Sequence, residues 1–429
     1  MNVIWAPTVP DRRTDAQILD RPAVFTLTRR VLLAGPSTHD LADHWERYGP
    51  RPPAGGPWGD RLVGTLSSGW LTGRGGAHFP VARKWQAARA GGGVPVVIGN
   101  AAEGEPASAK DAAVVRCRPH LVLDGTALAA EAVGASRTMI WLHHGDLAAR
   151  NALTAALAER RLAGLPDPPV AIRFGPAGYL TGESSAVLSA VSGGPPRPVF
   201  RGRPAATVGV AQPRGLVHNV ETLARVALAA RLAPSAQTAL VTVTGGRHRT
   251  VLELPEAMTL AQVLNGVQPD GRAVQAVLLG GYSGTWVTWE RAADLRVSDL
   301  IPGSAALSLG AGVIVPLPWD ACGLRVTAEL AGFLARNSAG QCGPCLFGLP
   351  AIAHVLDRLV DGEATRRDMA RLRRYVGEVE GRGACHHPDG AARLVRSCLV
   401  AFAEDAQLHL RRRRCSRSQQ RITLPLSGA

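Results

Sequence analysis

Two cysteines two residues apart, Cys342 and Cys345 in "NSAGQCGPC" (337–345), can hold a metal or exchange electrons as a dithiol. Upstream, "GRGGAHFPVARKW" (73–85) supplies Gly73, Gly75 and Gly76, where bare backbone lets several N–H groups converge on an anion. Lys84 would add a compact positive charge. Arginine otherwise carries the basic charge of this chain, whose only lysines are Lys84 and Lys110. A compact ammonium does what a guanidinium fork does not, so both lysines are candidates for a site. "GNAAEGEPASAKD" (99–111) presents Asn100, Glu103 and Glu105, two carboxylates one residue apart. "GPAGYLTGESSAVL" (175–188) offers the ring of Tyr179 and two serines, Ser184 and Ser185, placed to cap a helix. "HNVETL" (218–223) reads as a helix start capped by Asn219. Taken singly, each stretch is as compatible with an ordinary turn as with a ligand site.

The elements that must position these residues are legible around them. "VPVVIGN" (94–100) is a buried strand ending in a loop, "HLVLDGTALAAEAVGA" (120–135) a helix closed by glycine, and "RTMIWLHHG" (137–145) the next strand. A helix at 146–164 and a strand from 170 follow. Strand and helix in alternation predict an α/β domain with parallel pairing and its active loops at the carboxyl ends of the strands. Near 238 the pattern becomes a hairpin, "TALVTVTGGRHRTVLELP", then a short helix and further strands, a small α+β unit. From about 321 to 412 helical periods predominate and predict a bundle. The expected organisation is an extension at 1–60 with one helix near "STHDLADHWERYG", an α/β domain at 61–235, a small α+β domain at 236–320, a bundle at 321–412 and a solvated basic tail at 413–429.

With 46% hydrophobic and 19% charged residues over 429 positions, the chain is globular and large enough for two to four domains. An odd count of seven cysteines argues against a disulfide framework and for a reducing, cytoplasmic setting. The apolar run at 300–319 is broken by Gly, Ser and Pro, which excludes a membrane span there. The net charge of +14 suggests nucleic acid. The basic cluster "LRRRRCSRSQQR" (410–421), however, lacks the aromatics of a base-stacking surface, so no nucleic-acid partner is expected. A basic chain also attracts acidic proteins, small ferredoxins among them.

Together the motifs resemble one family in order and spacing, the NADH-binding flavoprotein subunit of respiratory complex I and its hydrogenase and formate dehydrogenase relatives. That family carries RGGAGFPxGxKW, NADEGEPGxxKD, GAYxxGEExALL, NNVETL and SCGQCxPCxxG. The likeness runs through "GGYSGTW" (280–286), which is similar to a β-grasp soluble-ligand-binding domain, to "GACHHPDGAARLVRSCLVAF". It implies an FMN-binding α/β domain, a β-grasp domain and a helical iron–sulfur-type bundle. It also implies hydride transfer from NADH or NADPH to FMN, with electrons passed through an iron–sulfur cluster or directly to a ferredoxin-like or quinone-reducing partner, without membrane insertion. By the same resemblance Gly73, Arg74, Gly75, Gly76, Phe79, Lys84, Asn100, Glu103, Tyr179, Gly182, Glu183, Ser184, Asn219 and Thr222 line the cofactor pocket. Glu103 and Glu105 are its candidate catalytic carboxylates. Cys342, Cys345 and Cys385 match three of the four cluster ligands, for which the family uses a [4Fe–4S] group.

The departures fall mostly on the dinucleotide side. His78 takes a glycine position, Ala102 an aspartate, Ser184 a glutamate, Ala87 and Arg203 phenylalanines, and His218 an asparagine. The resemblance therefore implies FMN binding more firmly than ordinary NADH binding. Ala339 stands where the first cluster cysteine should be. Four arrangements stay open: a cluster on three cysteines, a fourth ligand from His386 or His387, no cluster, or a Cys342–Cys345 dithiol. Cys117, Cys322, Cys398 and Cys415 read as buried or incidental thiols. The competing functional class is a non-catalytic scaffold or regulatory relative that has lost cluster and NADH binding.

Overall fold

The computed structural model describes residues 23–26, 32–33, 37, 40–67, 71–90, 96–199, 215–231, 238–245, 249–267, 273–301, 307–412, 417, 422 and 424–426. Arg203, Cys415 and most of the basic tail lie outside them.

The first sheet holds β2 (Val96–Asn100), β3 (Arg137–His143), β4 (Val170–Gly175) and β5 (Leu216–Asn219), all parallel, in the order β4-β3-β2-β5. Period-two alternation fills both faces. Val97, Ile140 and Leu142 face a large helical layer, while Val96, Ile98, Met139 and Trp141 face α7 (Ser184–Val191). The helical layer contains α2 (Pro57–Ser67), α3 (Val81–Ala90), α4 (Lys110–Cys117), α5 (Pro119–Val133), α6 (Leu147–Leu162) and α8 (Val220–Arg231). The strand order runs outward from β2 to β4 and then returns to set β5 on the other side of β2. The topological switch therefore lies between β2 and β5, where open α/β sheets open a crevice at the strand carboxyl ends.

The second sheet is mixed, in the order β1-β7-β6-β10-β8-β9. It comprises β1 (Ala23–Thr26), the expected hairpin β6 (Thr238–Thr244) and β7 (Arg249–Pro255), then β8 (Val274–Leu279), β9 (Thr285–Thr288) and β10 (Val313–Pro318). One face, with Val241, Val277, Leu279 and Ile314, covers α9 (Leu260–Val267). The other, with Ala276, Leu278, Val313 and Val315, joins the core of the helical bundle. That bundle is α11 (Gly323–Arg336), α12 (Leu349–Val360), α13 (Arg366–Val379), α14 (His387–Ala401) and α15 (Ala403–Arg412); the single turn α10 (Trp289–Ala292) precedes β10.

Two expectations need correction. The leading segment is not a free extension. The predicted helix is present as α1 (Leu41–Tyr48), capped by Asp40. Its His44 meets Asp124 of α5 at 2.9 Å. β1 pairs in parallel with β7, the N–H groups of Leu32 and Leu33 donate to Glu253, and α2 runs across the boundary drawn at residue 60. Nor is the described part of the tail solvated. Ile422 and Leu424 are buried in the bundle core, and Pro425 accepts from the Tyr282 hydroxyl.

Candidate functional site

Asn100 and Asn219 end β2 and β5 side by side in the sheet register, at the switch point. The loops that follow carry most of the predicted pocket. Asn100 Nδ2 donates to Gly182 O at 2.7 Å, joining the loops after β2 and β4. A Cβ on Gly182 would stand 2.4 Å from Ala102 O, and one on Gly104 would stand 2.5 Å from Tyr179 O. These glycines let the two loops lie backbone against backbone. Asn219 Oδ1 caps α8 by accepting from Glu221 N–H, as expected, and its Nδ2 donates to Asp111 at 2.6 Å. The cap of α7 is Glu183 rather than a serine: its carboxylate accepts from the N–H groups of Ser185 and Ala186 and from the Ser185 hydroxyl.

The glycine loop 73–79 closes on itself through Gly73 N–H donating to Phe79 O, and Arg74 N–H donates to the Thr222 hydroxyl of α8. Of its glycines only Gly76 has a positive φ, +101°; a Cβ on Gly75 would meet the Asn219 side chain at an ordinary 3.5 Å. Phe79 is half exposed at the edge. Arg74 reaches across to Glu256 of the second domain at 3.2 Å.

The two lysines have opposite surroundings. Lys110 is buried between Asp111 (2.6 Å) and Glu221 (3.0 Å). Burial works against its charge, but the carboxylates outweigh it and its pKa is raised. Glu221, with Lys110 and Arg225 beside it, is held near 2 in spite of burial. Lys84 donates to the Val217 carbonyl. Burial lowers its pKa to about 8, with Glu183 only partly offsetting it. Its neighbour Trp85 donates to His218 Nε2 at 2.8 Å. Burial and the nearby Lys84 charge keep His218 neutral.

The two candidate carboxylates diverge. Glu103 accepts from Asp111 and Ala112 N–H and so caps α4. Glu105 turns inward, accepting from Tyr282 N–H at 2.9 Å, Ala107 N–H at 3.3 Å and the Tyr179 hydroxyl at 3.3 Å. It ties the first domain to the glycine turn of the second.

Tyr179 also links the pocket to the bundle, since its ring meets Phe333 and His387 edge-on, each with centroids 5.6 Å apart. His387 lies two residues from Cys385 and donates from Nε2 to Leu334 O, while His386 is exposed and faces Asp389. The three predicted cysteines come together. Burial first, then the neighbouring Cys342 and Cys385, push the Cys345 thiol to about 12, and the Ser338 hydroxyl bonds to it. Cys342 precedes a π-helical turn, Pro344–Gly348, and Gln341 donates to Pro198 O of the first domain. Among the described residues no three His, Cys, Asp or Glu groups lie close enough for a single metal ion. A multi-iron cluster takes ligands spread more widely, and three thiols suit it.

The pocket fits a flavin mononucleotide, phosphate and ring alike, on the donors it leaves free. Lys84 is a half-buried cation whose Nζ bonds a carbonyl and makes no salt bridge, with only the more distant charge of Glu183 acting on it. In the glycine loop Thr72 Oγ1, Arg74 Nε and both ring nitrogens of His78 are buried and unpartnered. Sequence reasoning passed over Asp111, Glu221, Trp85 and Ser283, and weighed His387 only as a cluster ligand. The signal for the first two was their place in the first turns of α4 and α8, Asp111 directly beside Lys110.

A doubly cored α/β domain with its pocket at the switch point, a β-grasp sheet and a three-thiol bundle define a flavin- and iron–sulfur-type electron-transfer protein. Residues 67–228 match the Nuo51 FMN-binding domain and residues 325–409 the NADH-ubiquinone oxidoreductase-F iron–sulfur binding region, and the chain belongs to this family of flavoproteins. It is 28% identical to the F 2 subunit of NADH-quinone oxidoreductase from Rhizobium meliloti (strain 1021), over 83% of this chain and 90% of that one. It is 27% identical to the HndC subunit of the NADP-reducing hydrogenase of Solidesulfovibrio fructosivorans, over 82% and 77%. A solved NAD+-reducing [NiFe]-hydrogenase in the H2-reduced state superposes with a TM-score of 0.73 at 27% identity, covering 82% of this chain but only 63% of the hydrogenase chain. No helix among the described residues is long and apolar enough to cross a membrane.

Proposed function

We propose that this chain is the FMN-carrying subunit of an electron-transfer assembly. It accepts electrons from NADH or NADPH and passes them through an iron–sulfur cluster on Cys342, Cys345 and Cys385 to an iron–sulfur partner protein. A ferredoxin-like protein with an acidic face is the partner class that the +14 charge favours. The carrying observation is Lys84, a half-buried cation that bonds a β5 carbonyl and makes no salt bridge beside the β2–β5 crevice.

When bound, FMN supplies hydride acceptance and single-electron release. The residues of the chain bind, orient and exclude water. Lys84 and the N–H groups of the glycine loop hold the phosphorylated arm. Asn100 and Asn219, each fixed by a second hydrogen bond, hold the wall of the crevice at the sheet edge. Glu103 stands at the mouth with its charge spread over the N-terminus of α4. Phe79 offers an exposed ring face for a nicotinamide dinucleotide. Glu105 and Tyr179 lock the loops against the β-grasp turn and keep water from the route toward Cys385.

Reconstitution with FMN tests this reading. The wild-type protein should retain flavin through gel filtration and absorb at about 450 nm. Lys84→Glu places a carboxylate against the phosphate and should come through colourless with its melting temperature little changed. A wild-type protein that stays colourless after incubation with FMN would return the chain to the scaffold class.

A further inference from the structure

Among the described residues one non-glycine has a left-handed backbone, His78, at φ +47°. It lies in the glycine loop with its side chain 8% exposed, and neither Nδ1 nor Nε2 has a hydrogen-bond partner. Either feature disfavours the folded state, one through Cβ crowding and the other through polar atoms stripped of water. The ring does not compensate by joining an ion pair. Burial, then the Arg74 charge, lower its pKa to about 4, so at neutral pH it is an imidazole with one N–H donor and one bare acceptor nitrogen. The charges around it are engaged elsewhere, Lys110 with Asp111 and Glu221 and Arg74 with Glu256.

The position is not isolated. Of the fourteen buried, unpartnered side-chain atoms among the described residues, four belong to Thr72, Arg74 and His78 of this one loop. Strain and unsatisfied polar atoms in the same short segment, beside the β2–β5 crevice, are what a site shaped for an absent polar ligand looks like. The histidine is also this chain's own, since the resembling motif has glycine there. Glycine would adopt φ +47° without strain, so an imidazole kept in that conformation needs a ligand-directed reason.

We propose that His78 contacts the flavin directly, its neutral N–H donating to a polar atom of the isoalloxazine ring edge and so setting both flavin affinity and flavin potential. The inference rests on the flavin reading above. The ring edge carries more negative charge when the flavin is reduced, so a fixed N–H donor holds the reduced form more tightly than the oxidised one.

The test is a pair of FMN titrations, oxidised and dithionite-reduced, on wild type, His78→Gly and His78→Asn, with the melting temperature of each apo form. His78→Gly should melt no lower than wild type, because strain is relieved, while binding oxidised FMN about tenfold more weakly. It should lose about a further tenfold for reduced FMN, a shift of about 30 mV to more negative potential for a two-electron couple. His78→Asn, which tolerates the left-handed region and keeps an N–H donor, should recover part of both effects. A glycine variant that binds FMN as tightly as wild type at unchanged potential overturns the proposal, as does one that binds more tightly, for then the ring only fills space. Wild-type protein that binds no FMN defeats the flavin reading itself and this proposal with it, and the wild-type titration alone separates that failure from the others.

Discussion

Glu105 is a carboxyl group surrounded by N–H and O–H donors. Burial pushes its pKa to about 7, and the bonds from Tyr282, Ala107 and Tyr179 pull it down without prevailing. In an unfolded chain the same carboxyl titrates at about 4.3. Between those values the folded protein binds a proton that the unfolded chain has released. Stability therefore falls as pH rises through that window, and the full penalty is present above 7. Glu105→Gln removes the titration. Its denaturant midpoint relative to wild type should climb from about pH 5 to pH 7 and then level off. A difference that is flat across this range would show that Glu105 stays ionised in the fold. At this scale the sequence was legible in part. It marked Lys84 and Lys110 by their rarity and Asn219 by its place before a helix. It could not separate Glu103 from Glu105, because two carboxylates on a loop have no periodicity to aim them and the partner of Glu105 is Tyr282, far along the chain.

The elements depend on one close crossing more than on any side chain in the crevice. α5 and α8 meet at Gly125, where a Cβ would stand 1.9 Å from Leu223 O. α8 carries Glu221 and Thr222 and is capped by Asn219, so the separation of the two helices fixes the floor of the pocket. Gly125→Ala must push α8 away, at a cost of about 3 kcal/mol. Chemical denaturation should show that loss together with weakened flavin retention, and an unchanged midpoint would mean that the helices slide apart freely. The strands β2, β3 and β4 and helices α5 and α6 were legible because long apolar runs and a closing glycine bound them. β1 was not, since it pairs with β7 more than two hundred residues away and four residues carry no pattern of their own. α3 was missed for a different reason: "VARKWQAARA" buries only Val81, Ala82 and Trp85, too narrow a stripe to stand out.

Across the whole molecule the two chemical centres are joined by packing rather than by a continuous domain. Tyr179 touches Glu105 on the crevice side and His387 on the bundle side, and Gln341 ties the cysteine loop to Pro198. With FMN in the crevice and a cluster on the three thiols, electrons would pass this joint, so the state of the thiol cluster would decide whether the bundle conducts them. His386 turns outward to Asp389, whereas His387 donates its Nε2–H to Leu334 O and keeps a buried, unpartnered Nδ1, the nitrogen that such a bond leaves able to ligate a metal. Cys342, Cys345 and Cys385 offer three thiolates, and with Ala339 in the fourth place one corner of a cubane is left to this imidazole or to an exchangeable ligand. Anaerobic reconstitution with iron and sulfide should therefore give a cluster whose fourth corner carries no thiolate. Ala339→Cys should raise bound iron by about one per chain and change the low-temperature EPR spectrum of the dithionite-reduced protein. Cys345→Ser, which removes the thiol that neighbours both others, should abolish the signal in either background. If neither the wild type nor Ala339→Cys binds iron, the bundle is not the exit, and electrons must leave from the crevice itself to a partner docked over Phe79.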